Sequence, residues 1–331
     1  MKIVIVSNAL SGGGAETSMR LINQQLRLAG EDSTLICLNY TKEIDTKVGE
    51  IQLGRKWKSG LLQTFVDFID FYRAVRGLRP DTLVVNCELP ELFVAFLPKK
   101  IHRMICVEHT SKPWAGRETL GRLVRGVLWI RKPRWITVNK SQQLIWPFGV
   151  KAIHIPNPVE SPVLAPEGNI EADFVFVGRL RKEKGIQVVL EATASVNKRI
   201  DVFGSGNLED ELKSKYSEIA TFHGFVNDPW RFISPSQVLI VASEYEGDGR
   251  VIVEGLLAGL PILLLDNSDL RRFGLPDTNY FADEIDLRKK MTDCLRDSQK
   301  YKFEEKKITE LKHERDITFV VGSWRNILIQ D

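Results

Sequence analysis

Two glutamates flank a glycine turn in the second half of the chain, and their spacing suits recognition of a sugar nucleotide. Glu246 and Glu254 stand eight positions apart, and the second lies about one turn into a predicted helix. The first carboxylate suits sugar hydroxyls and the second suits a ribose diol, because ionised carboxylates accept several hydrogen bonds. The helix start offers N–H groups to a diphosphate at Asp248, Gly249, Arg250 and Val251. Two solvated glutamates around a turn are the alternative, which is disfavoured because a carboxylate among apolar residues needs a partner.

A second cluster carries two cations. Gly178-Arg179-Leu180 follows the apolar run Phe174–Val177, and Lys184-Gly185 follows five residues after Arg179. Arginine supplies paired donors and lysine a point charge, so both suit a diphosphate at the end of a strand. A basic helix start exposed to water is the alternative, and basic residues are poor choices for a first helical turn.

A third candidate is the glycine run near the N-terminus. Gly12, Gly13 and Gly14 lie between the apolar run Lys2–Ser7 and a predicted helix, where backbone N–H groups favour an anion. The run matches neither the dinucleotide-binding fingerprint nor the phosphate loop that ends in Gly-Lys-Ser/Thr. A tight strand-to-helix turn explains it equally well.

The elements that must position these residues alternate between strands and helices. A strand at Lys2–Ser7, a helix at Ala15–Ala29 and a strand at Ser33–Leu38 form a βαβ unit, and the alternation restarts after a Pro-rich stretch near residue 160. Further strands are predicted at 82–86, 104–107, 134–138, 152–155, 173–177, 199–203, 221–223, 238–242 and 262–265. Further helices are predicted from residue 141 and at 185–196, 208–216 and 251–257, with a helical tail over 284–331. We therefore predict an α/β protein with two Rossmann-like domains, at 1–158 and 172–331, joined by a linker at 159–171.

Length and composition agree with this organisation. The 331 residues suffice for about two domains, and 43% apolar with 27% charged residues is ordinary for a soluble folded chain. Four scattered cysteines and five histidines disfavour a zinc module, and the spacing favours reduced thiols in a cytosolic protein. No apolar run reaches the roughly 18 residues of a membrane span, and the apolar N-terminal run is too short for a signal peptide.

Charge is unevenly distributed between the halves. Residues 1–157 carry 23 Lys/Arg against 13 Asp/Glu, whereas residues 158–331 carry 23 against 30. Within the basic half, the segment 112–134 combines seven Lys/Arg and one acid with interleaved Leu, Val and Trp residues. This pattern predicts a basic amphipathic helix that adsorbs to an anionic membrane surface, with Arg55-Lys56-Trp57-Lys58 as a second cluster. The alternative is a solvated helix packed on its own domain; no signature of a nucleic-acid-binding fold accompanies the charge.

The ordered set of motifs resembles the retaining glycosyltransferases of family four, which have the GT-B fold of two Rossmann-like domains facing across a cleft. The motifs that carry the resemblance are Gly13-Gly14-Ala15-Glu16, Pro156-Asn157, Gly178-Arg179-Leu180, Lys184-Gly185, Pro235-Ser236 and the two glutamates. The resemblance spans nearly the whole chain. It implies that the first domain binds the acceptor and the second the donor, and it allows for a C-terminal helix that crosses back to the first domain.

The resemblance also implies residue roles. Glu254 would bind the donor ribose, Glu246 would contact the donor sugar, and Arg179 with Lys184 would neutralise the departing diphosphate. His109 would lie by the donor sugar and acceptor, with Glu108 as a partner that fixes its orientation; a structural histidine is the alternative. The remaining donor-binding positions by match are Gly13, Gly14, Gly178, Gly204 in Phe203-Gly204-Ser205-Gly206, and Phe225 and Val226 in Gly224-Phe225-Val226-Asn227.

Three positions depart from the usual pattern of the family. Asp248 stands where an aromatic residue is usual, Arg250 where an apolar residue is frequent, and Gly255 where alanine is frequent. Backbone donors survive such changes, so diphosphate binding is still expected. Asp248 adds negative charge beside the donor sugar and points to an extra hydroxyl contact or to a charged or amino substituent.

These observations together predict a metal-independent retaining glycosyltransferase that needs no cofactor. The sequence has no Asp-x-Asp pair to hold a divalent ion. We expect a nucleotide-diphosphate sugar as donor and a lipid-linked saccharide or lipopolysaccharide core as acceptor, in a cytoplasmic protein peripheral to the inner face of the membrane. A nucleotide-sugar epimerase with paired domains and a non-catalytic sugar-nucleotide-binding subunit are the alternatives.

Overall fold

The structure, a computed structural model, describes residues 1–10, 13–41, 45–55, 60–98, 103–166 and 171–329. The chain divides into two compact units. The first comprises Met1–Pro158 together with Arg315–Asp331, and the second comprises Val159–Glu314.

The first unit is built from short apolar runs that alternate with helices. Its elements are β1 (Lys2–Ser7), α1 (Gly14–Leu28), β2 (Asp32–Asn39), β3 (Glu50–Arg55), α2 (Leu61–Leu78), β4 (Thr82–Asn86), α3 (Glu88–Ala95), β5 (Arg103–Glu108), α4 (Glu118–Ile130), β6 (Arg134–Thr137), β7 (Leu144–Ile145), β8 (Val150–Lys151) and β9 (Ile153–His154). Within the described residues, seven strands pair in parallel in the order β3-β2-β1-β4-β5-β6-β9. Apolar side chains cover both faces of this sheet, as a parallel sheet between helices requires.

The second unit repeats the pattern. Its elements are β10 (Phe174–Val177), α5 (Ile186–Ser195), β11 (Ile200–Phe203), α6 (Glu209–Tyr216), β12 (Ala220–Gly224), β13 (Val238–Val241), α7 (Arg250–Leu257), β14 (Ile262–Leu265), α8 (Ser268–Arg271), β15 (Tyr280–Phe281), α9 (Glu284–Arg296) and α10 (Glu305–Glu314). In the described part of this unit, six parallel strands lie in the order β12-β11-β10-β13-β14-β15. The prediction of two Rossmann-like α/β domains is confirmed.

The strand order locates the place where each unit can bind a ligand. In the second unit the chain runs outward from β10 to β12 and then returns to β13 on the other side of β10. Ligands of doubly wound sheets bind at such a reversal, beyond the carboxyl ends of the two neighbouring strands. The loops after β10 and β13 therefore define the candidate site, and the loops after β1 and β4 are their equivalents in the first unit.

The last helix, α11 (Ile317–Ile329), packs in the first unit, which differs from the sequence-based boundary that placed residues 172–331 in one domain. Val320, Trp324 and Leu328 are buried in the same cluster as Ile22 and Leu26 of α1. The apolar stretch of the tail therefore covers the sheet of the first unit, as the expectation of a crossing C-terminal helix allowed. The proposed linker at 159–171 is described only up to residue 166 and from residue 171.

The predicted helix from Ser141 is wrong. The Asn139 side chain accepts a hydrogen bond from the Ser141 N–H at 2.9 Å, which closes a turn. The following residues form the antiparallel pair β7–β8. Across the described ranges, no helix is long and apolar enough to cross a membrane.

Candidate active site

The loops after β10 and β13 touch because a glycine permits it. Gly185 has a φ of +66°, and a Cβ built on it would lie 2.2 Å from the Ala242 carbonyl oxygen. The Glu244 N–H donates to the Glu183 carbonyl at 2.9 Å, so the two loops are also joined through their backbones. Any larger residue at position 185 would separate the loop that carries Lys184 from the loop that carries Glu246.

Lys184 and Glu246 form the centre of this site. The Nζ of Lys184 donates to Oε1 of Glu246 at 2.5 Å, and the Ser243 hydroxyl donates to the same oxygen at 2.7 Å. Both charged side chains are 17% exposed, so both remain accessible to solvent. The Glu246 N–H donates to Asp269 at 3.1 Å, which fixes the loop. The structure thus brings together the residues predicted to bind the diphosphate and the donor sugar.

Helix α7 begins directly after this loop. Gly249 precedes it with a φ of +69°, and the first hydrogen bonds within the helix come from the N–H groups of Ile252 and Val253 to the Gly249 carbonyl. The N–H groups of Arg250 and Val251 therefore belong to the first helical turn, where anions are stabilised. Asp248 is buried beside this turn.

Glu254 lies one turn into α7 and is held by two donors. Arg250 Nε donates to Oε1 at 2.6 Å, and Trp230 Nε1 donates to Oε2 at 3.2 Å. Burial raises the pKa of the Glu254 carboxyl above its ordinary value, and the Arg250 guanidinium opposes that shift. The sequence reasoning missed Trp230 and Ser243, because neither belongs to a local pattern that marks a binding site.

The remaining predicted donor residues of the second unit follow β10, β11 and β12. A Cβ built on Gly204 would lie 1.9 Å from the Gly178 carbonyl oxygen, so this glycine pair packs the loops after β11 and β10 against each other. Arg179 is exposed, Phe225 is exposed, and Val226 packs partly against the apolar core.

The predicted residues of the first unit lie at the carboxyl ends of β1 and β5. Gly13 precedes α1 and Gly14 begins it, while Gly12 lies outside the described residues. The Glu16 carboxylate turns back toward this end, where it accepts from Asn8 Nδ2 at 3.3 Å. His109 is half-buried after β5. Gly13 and Gly14 therefore lie beside the reversal of this sheet, where ligands of doubly wound folds bind, and His109 follows β5, the strand next to β4, on the same carboxyl edge.

Glu108, the residue before His109, is part of a buried ion-pair group. Arg125 donates to Glu108 Oε2 at 2.7 Å and to Glu91 at 2.8 and 3.0 Å, and Glu91 also accepts from the Trp114 indole at 2.8 Å. Burial raises the pKa of Glu108 to about 7 and also raises that of Glu91, against the pull of Arg125. Two carboxyls face one guanidinium in a dry interior, so the group favours taking up a proton.

This contact corrects the sequence-based view of α4. Arg125 is 2% exposed and cannot face a membrane, because its charge is satisfied by Glu91 and Glu108. In the second basic cluster, Arg55 bonds Asn39 at 2.9 Å and lies 3.4 Å from Asp67, and the other three residues lie outside the described ranges.

The outer face of α4 remains apolar and exposed. Leu120, Leu123, Val127 and Ile130 follow helical spacing along this face, and Leu123 is 66% exposed. Trp129 stacks on Phe148 with a centroid distance of 5.5 Å, and both rings are about half exposed. We call these six residues the α4 apolar face. Exposed cations at Arg122 and Lys132 accompany it.

In the ranges that the structure describes, no group of three or more His, Cys, Asp or Glu residues is arranged to hold a metal ion. This arrangement does not measure whether the reaction needs a metal ion, so metal independence stays a prediction.

Comparisons with known proteins agree with this geometry. The family model described as glycosyl transferases group 1 matches residues 171–297, which include both central loops and α7. A glycosyltransferase of Haemophilus influenzae is 23% identical over 80% of each chain, and the Escherichia coli O-antigen biosynthesis glycosyltransferase WclY is 25% identical over 56% of this chain and 58% of its own. The structure of Anabaena HepE in complex with UDP and glucose superposes with a TM-score of 0.77 over 99% of both chains at 16% identity. Residues 171–297 thus match a group 1 glycosyl transferase domain, and the chain is a glycosyltransferase with the GT-B fold.

Proposed function

We propose that this glycosyltransferase moves a sugar from a nucleotide-diphosphate sugar to a lipid-linked saccharide in cell-surface polysaccharide or lipopolysaccharide biosynthesis, with retention of anomeric configuration. The contact between Lys184 and Glu246 carries the proposal, because it joins a phosphate-binding cation to a hydroxyl-binding carboxylate at the sheet reversal. The O-antigen role of the E. coli relative supports the acceptor class. The UDP and glucose in the HepE structure support the donor class.

We infer a role for each group of the donor from this arrangement. A diphosphate that binds Lys184, the exposed Arg179 and the first turn of α7 draws Lys184 away from Glu246. The freed Glu246 carboxylate then accepts hydroxyls of the donor sugar, while Glu254 accepts those of the ribose. Negative charge on the diphosphate grows as the glycosidic bond breaks, so the same cations and N–H groups stabilise the transition state. His109 is assigned to the region of the donor sugar and acceptor.

A panel of labelled UDP-, GDP- and ADP-sugars tests this function. Release of the nucleoside diphosphate that depends on added acceptor, together with an α-linked product from an α-linked donor, supports a retaining transferase. Conversion of the donor sugar to its epimer without acceptor would instead identify an epimerase. Tight donor binding without any release would identify a non-catalytic subunit. Activity that persists in excess chelator supports the metal-independent reaction, and strict dependence on a divalent ion overturns it.

We further propose that the protein associates peripherally with the anionic cytoplasmic face of the membrane through α4. The α4 apolar face is the observation that favours a membrane, because an exposed apolar stripe rimmed by cations matches an interfacial helix. Arg122 and Lys132 supply the attraction in place of the buried Arg125. The association brings the enzyme to the surface that holds a lipid-linked acceptor.

Vesicle flotation tests the membrane proposal. Replacing Leu123, Val127 and Ile130 together by serine should release the protein from phosphatidylcholine vesicles that contain phosphatidylglycerol, while Ile285→Ser, an exposed apolar residue of the other unit, should not. High salt should weaken binding of the unaltered protein, because surface attraction is screened. A triple variant that floats like the unaltered protein would assign the membrane contact to another surface.

A further inference from the structure

The Glu254 carboxylate accepts one hydrogen bond on each of its two oxygens. A carboxylate offers about four acceptor positions, two on each oxygen. Arg250 occupies one position on Oε1, and Trp230 occupies one position on Oε2. One position therefore remains on each oxygen, which matches the two adjacent hydroxyls of a ribose.

The surroundings of Glu254 explain why the cation is needed. Strands β13 and β14 and helix α10 pack apolar side chains around α7, among them Leu239, Ile262 and Leu311. The charged groups that face the carboxylate include Arg250 on its own helix and Asp228 before the short helix Pro229–Phe232, and Asp228 repels it. Burial and Asp228 both favour the protonated form, which would lose one acceptor position, and Arg250 counteracts them.

We propose that Arg250 is a positioning residue for nucleotide recognition: together with Trp230 it holds the Glu254 carboxylate ionised and oriented so that both oxygens accept the ribose 2′- and 3′-hydroxyls. The proposal rests on the proposed function, since it deepens the assigned role of Glu254. It also gives a physical meaning to Arg250, at a position where the resemblance described above leads us to expect an apolar residue. Discrimination between ribose and deoxyribose is the property that this arrangement controls.

Titration calorimetry with UDP, GDP and ADP and their 2′-deoxy counterparts tests the proposal. The unaltered protein should bind the preferred ribonucleotide about tenfold or more tightly than its 2′-deoxy form, because a hydrogen bond to a buried charge is lost. Arg250→Leu should weaken the ribonucleotide about tenfold and the 2′-deoxy form, which keeps only the 3′-hydroxyl bond to Glu254, by less, so the preference narrows. Arg250→Lys should retain part of the preference. Arg271→Leu, an exposed arginine of the same unit paired with Asp266, is the matched control.

Two further measurements separate positioning from loss of structure. In Arg250→Leu, affinity for the ribonucleotide should fall as pH decreases through the raised pKa of Glu254, and affinity for the 2′-deoxy form, with one hydroxyl fewer on that carboxylate, should fall less. Trp230→Phe keeps the ring but removes the other donor, so it should also reduce the ribose preference and serves if Arg250→Leu does not fold.

The outcomes separate the role of Arg250 from the proposed function. A preference that survives undiminished in Arg250→Leu but disappears in Glu254→Gln overturns the role of Arg250 and leaves the proposed function standing. An unaltered protein that binds none of the three nucleotides overturns both. A ribose preference that survives in Glu254→Gln removes Glu254 from ribose recognition and Arg250 with it.

Discussion

Lys184 and Glu246, 62 positions apart in sequence, meet through a 2.5 Å hydrogen bond at the carboxyl edge of the sheet in the second unit. Each is the obvious partner of a different part of a nucleotide sugar, one of the phosphates and the other of the sugar hydroxyls. Without a ligand they neutralise each other, so neither carries an uncompensated charge in a partly buried site. In the proposed function, a donor molecule replaces this contact with two of its own.

The first prediction is that Lys184→Met and Glu246→Gln reduce turnover far more than stability. Each should lower kcat about a hundredfold or more, because a group aimed at the reacting centre is lost. Each should change the free energy of unfolding by about 1 kcal/mol, since both side chains reach solvent. Steady-state kinetics and thermal unfolding measure the two effects. Lys198→Met, which breaks an exposed ion pair with Asp173 in the same unit, should leave kcat intact; turnover within a few-fold in either site variant contradicts the assignment.

The second prediction concerns the buried arginine of the first unit. Arg125→Met should destabilise the protein by about 3–5 kcal/mol, because Glu91 and Glu108 then lack their shared cation in a dry interior. Arg122→Met, an exposed arginine of the same helix, should change stability by less than about 0.5 kcal/mol. Denaturant unfolding compares the two variants. Equal stabilities would mean that the buried ion pairs contribute nothing.

Arg125 also shows where prediction from sequence stops. Its segment has the composition of a membrane-binding helix, and the α4 apolar face agrees with that periodicity. Its partners Glu91 and Glu108 lie 34 and 17 positions away, on α3 and β5, and helical spacing carries no information about such pairs. Which of the seven Lys/Arg residues of segment 112–134 is buried depends on tertiary contacts, so the sequence pattern could not predict it.

The strands of the sheet and the loops at its carboxyl edge could be predicted from the sequence, unlike the partners of Arg125. Strands such as β1 and β4 begin and end where their apolar runs do, because parallel strands are buried on both faces. The glycine turns marked the loops that hold Lys184 and Glu246. Trp230 was not predictable, since it reaches Glu254 from 24 positions away through its indole N–H alone.

The third prediction is a pH dependence of stability in the first unit. The pKa of Glu108 is raised to about 7 from an unfolded value near 4.5, so between these values the folded state binds more protons than the unfolded state. The free energy of unfolding should therefore fall, by up to about 3 kcal/mol, as pH rises through this window. Denaturant titrations followed by tryptophan fluorescence measure the slope. Glu108→Gln should flatten it, and a slope unchanged in that variant would assign the dependence to other groups.

The last prediction uses two glycines that share a backbone conformation but not a neighbourhood. Gly185 and Gly259 have φ values of +66° and +71°, yet a Cβ on Gly185 would lie 2.2 Å from the Ala242 carbonyl, whereas a Cβ on Gly259 would meet nothing within 4 Å. Gly259→Ala should cost about 1 kcal/mol of stability from the left-handed conformation alone. Gly185→Ala should cost about 3 kcal/mol, because the backbone of β13 must also move.

The activity of the two variants then separates strain from displacement of the site. Gly185→Ala pushes the loop of Lys184 away from the loop of Glu246, and a shift of about 1 Å at a reacting centre can cost about a hundredfold in rate. Gly259→Ala keeps those loops in place and should retain kcat within a few-fold. Kinetics at a temperature where both variants are folded make the comparison. Equal kcat in the two variants would show that the close approach at Gly185 does not set the distance between Lys184 and Glu246.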